Sequence, residues 1–266
     1  MSNLLKRVLS AALLLPALIG LMFYAPPWAF ALTVLLAATF SFREYASMLF
    51  ARTLMIQHAT VLIGLASMLW VLRLSSLGPA SVGLLAAMLL LSLSSALFVG
   101  KQSENFIRVG WLMLAPVYIG LSLCTVLWLH ELERGPWWVL LAMSFAFAGD
   151  TAAYFVGSAF GKHKLAPAIS PNKTIEGAVG GLLGSVLAAL IFVLGGLLPL
   201  PVLDAVLLAL VAGLFGQTGD LFESMLKRAV NIKDSGSLIP GHGGMLDRID
   251  ALLFTSAVTW IYMQFY

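Results

Sequence analysis

Long apolar runs, broken only by short clusters of charge, proline or glycine, restrict this chain more than any other feature. A membrane-spanning helix takes roughly 20 mostly apolar residues. Stretches near 8 to 24, 28 to 42, 58 to 72, 79 to 99, 107 to 129, 136 to 157, 175 to 197, 202 to 219 and 248 to 266 reach or approach that length. With 61% of its 266 residues hydrophobic and 10% charged, the chain holds more apolar surface than one soluble core can hide. The expected fold is all-α, a polytopic integral membrane protein with about nine transmembrane helices. Lys6 and Arg7 ahead of an apolar run have the form of a secretory signal. No small-residue cleavage site precedes Ala25-Pro26-Pro27, so an uncleaved first span is the simpler reading.

Orientation follows from Lys and Arg, which are retained on the cytosolic side of short loops. Nine spans with the amino terminus inside put thirteen of the 15 Lys and Arg on that side and leave only Arg73 and Arg134 outside. Two polar loops, 158 to 174 and 220 to 247, then face the cytosol, where nucleotides are. Polar weight shifts near residue 145, which divides the chain into amino-terminal transmembrane helices, 1–145, and a catalytic transmembrane region, 146–266. A formal charge of +3 is too small an excess to argue for a nucleic-acid partner. The single cysteine, Cys124, lies in an apolar run and reads as a packed, inert thiol. Arg43, Glu44 and Tyr45, at the end of the second span, read as an interfacial anchor.

The chemistry-bearing residues lie after Phe145. Acids at membrane depth are costly and usually have partners, and Asp150 sits about two-thirds through its span. Asp220, Glu223 and Lys227 are three and four apart, so one helix face carries two carboxylates and an ammonium. Asp247 and Asp250 open the last span, where the helix dipole favours acids. The run Ile239-Pro240-Gly241-His242-Gly243-Gly244 directly before them has glycines that let backbone amides approach an oxyanion, an anion nest ahead of a helix start. Carboxylates beside such amides and a dense set of Lys and Arg suit magnesium bridged to phosphate. Zinc fits poorly, with His242 the only histidine of the loop and Cys124 the only thiol. A third cluster, Ser170-Pro171-Asn172-Lys173-Thr174-Ile175-Glu176-Gly177, reads as a helix start with Ser170 as N-cap and Pro171 at the first position. Lys173 in that first turn opposes the dipole unless an anion is near.

Ser224, Leu226-Lys227-Arg228, Lys233-Asp234, Gly236, Ile239-Pro240, His242-Gly243-Gly244, Asp247-Arg248 and Asp250 resemble, without a gap, the signature of the phosphatidate cytidylyltransferase family. Gly219-Asp220-Leu221-Phe222-Glu223-Ser224, the segment 170–177, and Gly149-Asp150-Thr151 with Tyr154 also resemble family motifs. This motif-level resemblance covers about the last 120 residues. It implies an integral-membrane, Mg-dependent homodimer that joins CTP to phosphatidate, releasing pyrophosphate and CDP-diacylglycerol, in a bacterial inner membrane with its site facing the cytosol.

On that reading Asp220 and Asp247 are metal ligands, with Asp250 and Glu223 as further or alternate ligands and room for a second cation. Lys173, Lys227, Arg228, Lys233 and Arg248 hold phosphates, and Ser170, Asn172, Gly243 and Gly244 help bind substrate, as does His242 unless its ring serves instead to stabilise the turn. Phosphatidate enters sideways from membrane lipid. No general base is required, because a phosphate monoester with a second pKa of about 6 is largely dianionic near neutrality. Two rivals stand beside this reading. A CTP-dependent lipid kinase would release CDP instead of pyrophosphate. A lipid or anion transporter would place polar groups across the bilayer, whereas these acids cluster at one face.

Overall fold

The structure is a computed structural model that describes residues 3–50, 53–73, 110–238 and 243–266. Eight helices account for most of it: α1 (Asn3–Tyr24), α2 (Pro27–Leu49), α3 (Leu54–Arg73), α4 (Gly110–Glu131), α5 (Gly135–Phe160), α6 (Ile175–Leu194), α7 (Val202–Ala229) and α8 (Leu246–Met263). They correspond to eight of the nine expected spans; the span near 79 to 99 lies outside the described residues. The last four expected after residue 130 are all present as helices, three of them long and apolar enough to cross a membrane. Helices α4, α5, α6 and α7 are each long and apolar enough to cross a membrane, and the protein is an integral membrane protein.

Three boundaries differ from expectation in ways that matter for the site. Helix α2 runs to Leu49, past the expected end at 42, so Glu44 and Tyr45 are buried inside the bundle. They are not an interfacial anchor. Helix α7 continues through Ala229, so Asp220, Glu223, Lys227 and Arg228 lie on helix and the connecting loop begins ten residues later than expected. Charge ends an apolar run in sequence without ending a helix, because Asp, Glu and Lys have no quarrel with helical backbone when they have partners.

The segment between α5 and α6 is not all-α: β1 (Lys164–Ala166) and β2 (Ser170–Thr174) pair antiparallel, with Lys164 opposite Thr174 and Ala166 opposite Ser170. Ser170 therefore does not cap a helix. That role belongs to Thr174, whose Oγ1 accepts the Gly177 amide at 3.1 Å, with Ile175 as the first helical residue. Pro171, without an N–H, is tolerated in a strand that has only one partner.

Small residues set how closely the carboxyl-terminal helices approach. A Cβ at Gly184 would lie 2.5 Å from the Ala152 Cβ, so α6 rides directly on α5. A Cβ at Gly219 would lie 2.8 Å from the Asp250 carbonyl, which places α7 against the acidic start of α8. Hydroxyls tie the remaining contacts: Thr255 donates to the Ala142 carbonyl at 2.9 Å, and Thr125 meets Ser256 at 3.1 Å. Helix α4 carries a π-helical stretch, Pro116–Leu121, that leaves Tyr118 buried against Phe222 of α7 and Phe254 of α8. Cys124 is buried beside Met68, as expected of a packed thiol.

Among the described residues, contacts between connections mark the two ends of the bundle. At one end Arg134 donates to the carbonyls of Gly196 and Leu197, and Tyr266 to that of Pro199. At the other, the Arg228 Nε donates to Ile169, joining the β-hairpin to the α7–α8 connection.

Candidate active site

The hairpin end gathers the charged residues. On α7, Asp220, Glu223 and Lys227 do share one face. The Lys227 Nζ lies 2.5 Å from Glu223 Oε2 and 2.7 Å from Asp247 Oδ1, so one ammonium joins two carboxylates from two helices. The Glu223 side chain is fully buried, and its Oε1 has no hydrogen-bond partner among the described residues. Lys173, at the end of β2, meets Asp220 Oδ2 at 2.5 Å. The strand supplies the reason: side chains alternate, so Lys173 turns toward α7 while Ser170 and Asn172 project from the other face. Sequence placed Lys173 in a helical first turn; it sits in extended backbone two residues before the helix.

Asp247 is the most heavily bonded acid. Besides Lys227, its Oδ2 accepts the Ser235 amide at 2.9 Å and the Gly244 amide at 2.8 Å. Gly243, φ +86°, makes the turn that allows this, and a Cβ there would lie 2.8 Å from Asp247 Oδ2. That left-handed conformation favours glycine. Asp250 is buried one turn further along α8 and accepts the Ala251 amide at 2.7 Å. Asp150, from α5, feels the charges of Asp220, Lys173 and Arg248, and Asp250 those of Asp220 and Asp150. Four elements thus bring Asp150, Lys173, Asp220, Glu223, Lys227, Asp247, Arg248 and Asp250 to one end of the bundle.

Other expected site residues stand apart from this cluster. The Arg228 guanidinium is occupied by the carbonyls of Ile169 and Ile232. Lys233 and Asn172 are exposed, and His242 lies outside the described residues. Of the expected anion nest, 239–242 lie outside the described residues; where it meets the helix, the Gly244 amide is taken by Asp247, and those of Met245 and Leu246 by the carboxylate of Glu44. Helix-start amides attract anions, and here two protein carboxylates take that place.

Glu44 is the residue that sequence reasoning missed. Placed at the end of the second apolar stretch it read as part of an anchor, yet an acid that close to a span is itself a signal to look for a partner.

Five carboxylates, Asp150, Asp220, Glu223, Asp247 and Asp250, face three cations, Lys173, Lys227 and Arg248. An oxygen-only set with surplus negative charge and one orphaned carboxylate oxygen fits a hard divalent cation such as magnesium. Among the described residues no three His, Cys, Asp or Glu side chains converge closely enough to enclose a metal by themselves. Lys173 and Lys227 occupy the gaps, and magnesium takes much of its shell from water and phosphate.

A model of the cytidylyltransferase family matches residues 5–266. The chain belongs to that family. Among relatives, a phosphatidate cytidylyltransferase of Bacillus subtilis (strain 168) is 42% identical over 174 residues, which is 65% of this chain and 64% of that one. A phosphatidate cytidylyltransferase of Staphylococcus epidermidis (strain ATCC 12228) is 39% identical over 157 residues, 59% of each chain. The matched segments span less than two thirds of these relatives' length. In this cytidylyltransferase-family chain the charged cluster sets three cations among five carboxylates at one end of the bundle.

Proposed function

We propose that the protein transfers the cytidylyl group of CTP to phosphatidate, forming CDP-diacylglycerol and pyrophosphate. The observation that carries this reading is the pair of ion-pair bridges, Lys173 to Asp220 and Glu223 to Lys227 to Asp247, gathered at one end of a membrane bundle. Membership of the cytidylyltransferase family and likeness to proteins named phosphatidate cytidylyltransferase support the choice of nucleotide and lipid.

A phosphate oxygen of phosphatidate attacks the α-phosphorus of CTP; that P–O bond forms as the bond to the β-phosphate oxygen breaks, and pyrophosphate leaves. Little covalent work falls to the protein, so catalysis is alignment and charge neutralisation. Lys173 and Lys227 stand beside carboxylates at rest and turn to phosphate oxygens when nucleotide and lipid arrive. Arg248 adds charge next to them, with Arg228 and Lys233 at the rim and Ser170, Asn172, Gly243 and Gly244 along the substrate path; His242 is assigned to substrate by its motif alone. Asp220 and Asp247 would hold magnesium, with Asp250 and Glu223 beside them. When bound, the ion neutralises charge building on the phosphoryl oxygens.

The wider arrangement follows the charge pattern. Nine spans in a bacterial inner membrane, amino terminus inside, turn the site toward cytosolic CTP and let phosphatidate enter laterally from the lipid. Residues 1–145 form the amino-terminal helices and 146–266 the catalytic region, and two copies form a homodimer.

Purified protein given CTP, phosphatidate and Mg should release pyrophosphate in step with lipid product. Release of CDP instead would identify a lipid kinase and overturn the reading, and lipid flux without nucleotide turnover would identify a transporter.

A further inference from the structure

The described ends of the signature loop between α7 and α8, at Ser235 and Met245, close on a side chain from the opposite half of the molecule. Glu44, on α2, is nine-tenths buried. Its Oε1 accepts the Met245 amide at 2.9 Å, and its Oε2 accepts the Leu246 amide at 2.8 Å and the Ser235 hydroxyl at 3.1 Å. The first free amides of α8, which no residue of α8's own N-cap position satisfies, are therefore capped across 201 and 202 residues of sequence. Two glycines of the loop are explained by the same carboxylate. A Cβ at Gly236 would lie 2.5 Å from Glu44 Oε1, and one at Gly244 would lie 2.5 Å from Glu44 Oε2.

Asp247 depends on that closure. Its carboxylate is held by the amides of Ser235 and Gly244, and both residues flank Glu44: Ser235 through its hydroxyl, Gly244 through the adjoining Met245 amide. We propose that Glu44 is a positioning residue of the site, a buried template that fixes residues 235–236 and 244–247 so that Asp247 faces Lys227 and the reacting phosphates. The proposal rests on the cytidylyl-transfer reading for what Asp247 does, but the closure of the loop ends is testable without it.

Glu44→Gln keeps the size of the side chain but offers one acceptor oxygen where two are used, and Glu44→Ala removes both. Two readouts apply. Amide hydrogen exchange followed by mass spectrometry should show the 243–247 segment exchanging faster in both variants, with α5 and α6 unchanged. Turnover should fall about 10- to 100-fold, the usual loss when a group orienting a metal ligand is removed, with the Mg concentration for half-maximal rate raised and the KM for CTP little changed. Glu44→Asp, which keeps the charge, should recover part of the rate.

Gly236→Ala should reproduce the defect by displacing the carboxylate, and adding it to Glu44→Ala should cost nothing more. Arg43→Ala, an exposed neighbour on α2, should leave exchange and turnover as they are. Wild-type exchange at 243–247 in the Glu44 variants overturns the proposal, and so does wild-type turnover and Mg dependence in a variant whose loop amides are released. If Glu44→Ala does not fold, Glu44→Gln decides the matter. A wild-type protein without pyrophosphate release would defeat the cytidylyl-transfer reading, while the exchange result would still decide whether Glu44 holds the loop ends.

Discussion

The Nζ of Lys227 lies 2.7 Å from Oδ1 of Asp247, joining the last turn of α7 to the first turn of α8. The same ammonium touches the fully buried Glu223, so a single cation neutralises two carboxylates that otherwise face each other at close range. The geometry at the centre of the site is therefore held by a group to which the proposed transfer also gives a phosphate contact.

Replacing that group tests both duties. Lys227→Met leaves Glu223 and Asp247 without their shared partner, and breaking a buried pair costs about 3–5 kcal/mol. The variant should melt at a clearly lower temperature in detergent than the wild type and should show no measurable pyrophosphate release. A Lys227→Met protein with wild-type melting would mean the bridge does not stabilise the bundle.

Lys173 and Asp220 behave differently because both are partly open to solvent, with side chains 26% and 24% exposed. A pair of that kind contributes only about 0–1 kcal/mol to stability. Lys173→Ala should fold and melt close to the wild type yet lose about 100- to 1,000-fold in turnover, the range seen when a group stabilising transition-state charge is removed. Comparable losses in melting and turnover would assign Lys173 to structure instead.

Chelation separates fold from chemistry. Lys173, Lys227 and Arg248 already counter much of the carboxylate charge, so stripping divalent ions should leave the melting temperature nearly unchanged while stopping pyrophosphate release. Readdition of Mg should restore it. Full turnover in excess chelator would remove the metal from the mechanism.

The cap on α6 gives a purely structural control. Thr174 Oγ1 accepts the Gly177 amide, and losing such a cap costs about 1 kcal/mol. Thr174→Val should lower the melting temperature modestly and shift turnover far less than Lys173→Ala, one residue away. Equal losses in the two would show that hairpin placement, not the lysine, sets the rate.

What was legible in the sequence depended on the range of the interaction. Asp220, Glu223 and Lys227 share a face because helical periodicity is local, and spacing alone exposes it. Most helix positions were readable for the same reason, since each apolar run carries its own length. Lys173 was legible as a cation needing an anion, though its setting was not: a short hairpin with one strand of Ser-Pro-Asn-Lys-Thr has no apolar alternation to announce it. The role of Glu44 was hidden by distance, because nothing local in Arg43-Glu44-Tyr45 points to amides some 200 residues away. The partner of the helix-start amides at 244–246 was hidden with it, since glycine before a helix reads the same whether its anion is a ligand or a buried carboxylate.

The central claim is tested most directly by following the α-phosphorus of CTP. Protein in detergent with phosphatidate, Mg and CTP labelled at that phosphorus should carry the label into the organic phase as CDP-diacylglycerol, and Asp247→Asn, folded to the wild-type melting temperature, should carry none. Label that remains in water-soluble nucleotide with wild-type protein, or full transfer by Asp247→Asn, would contradict the account.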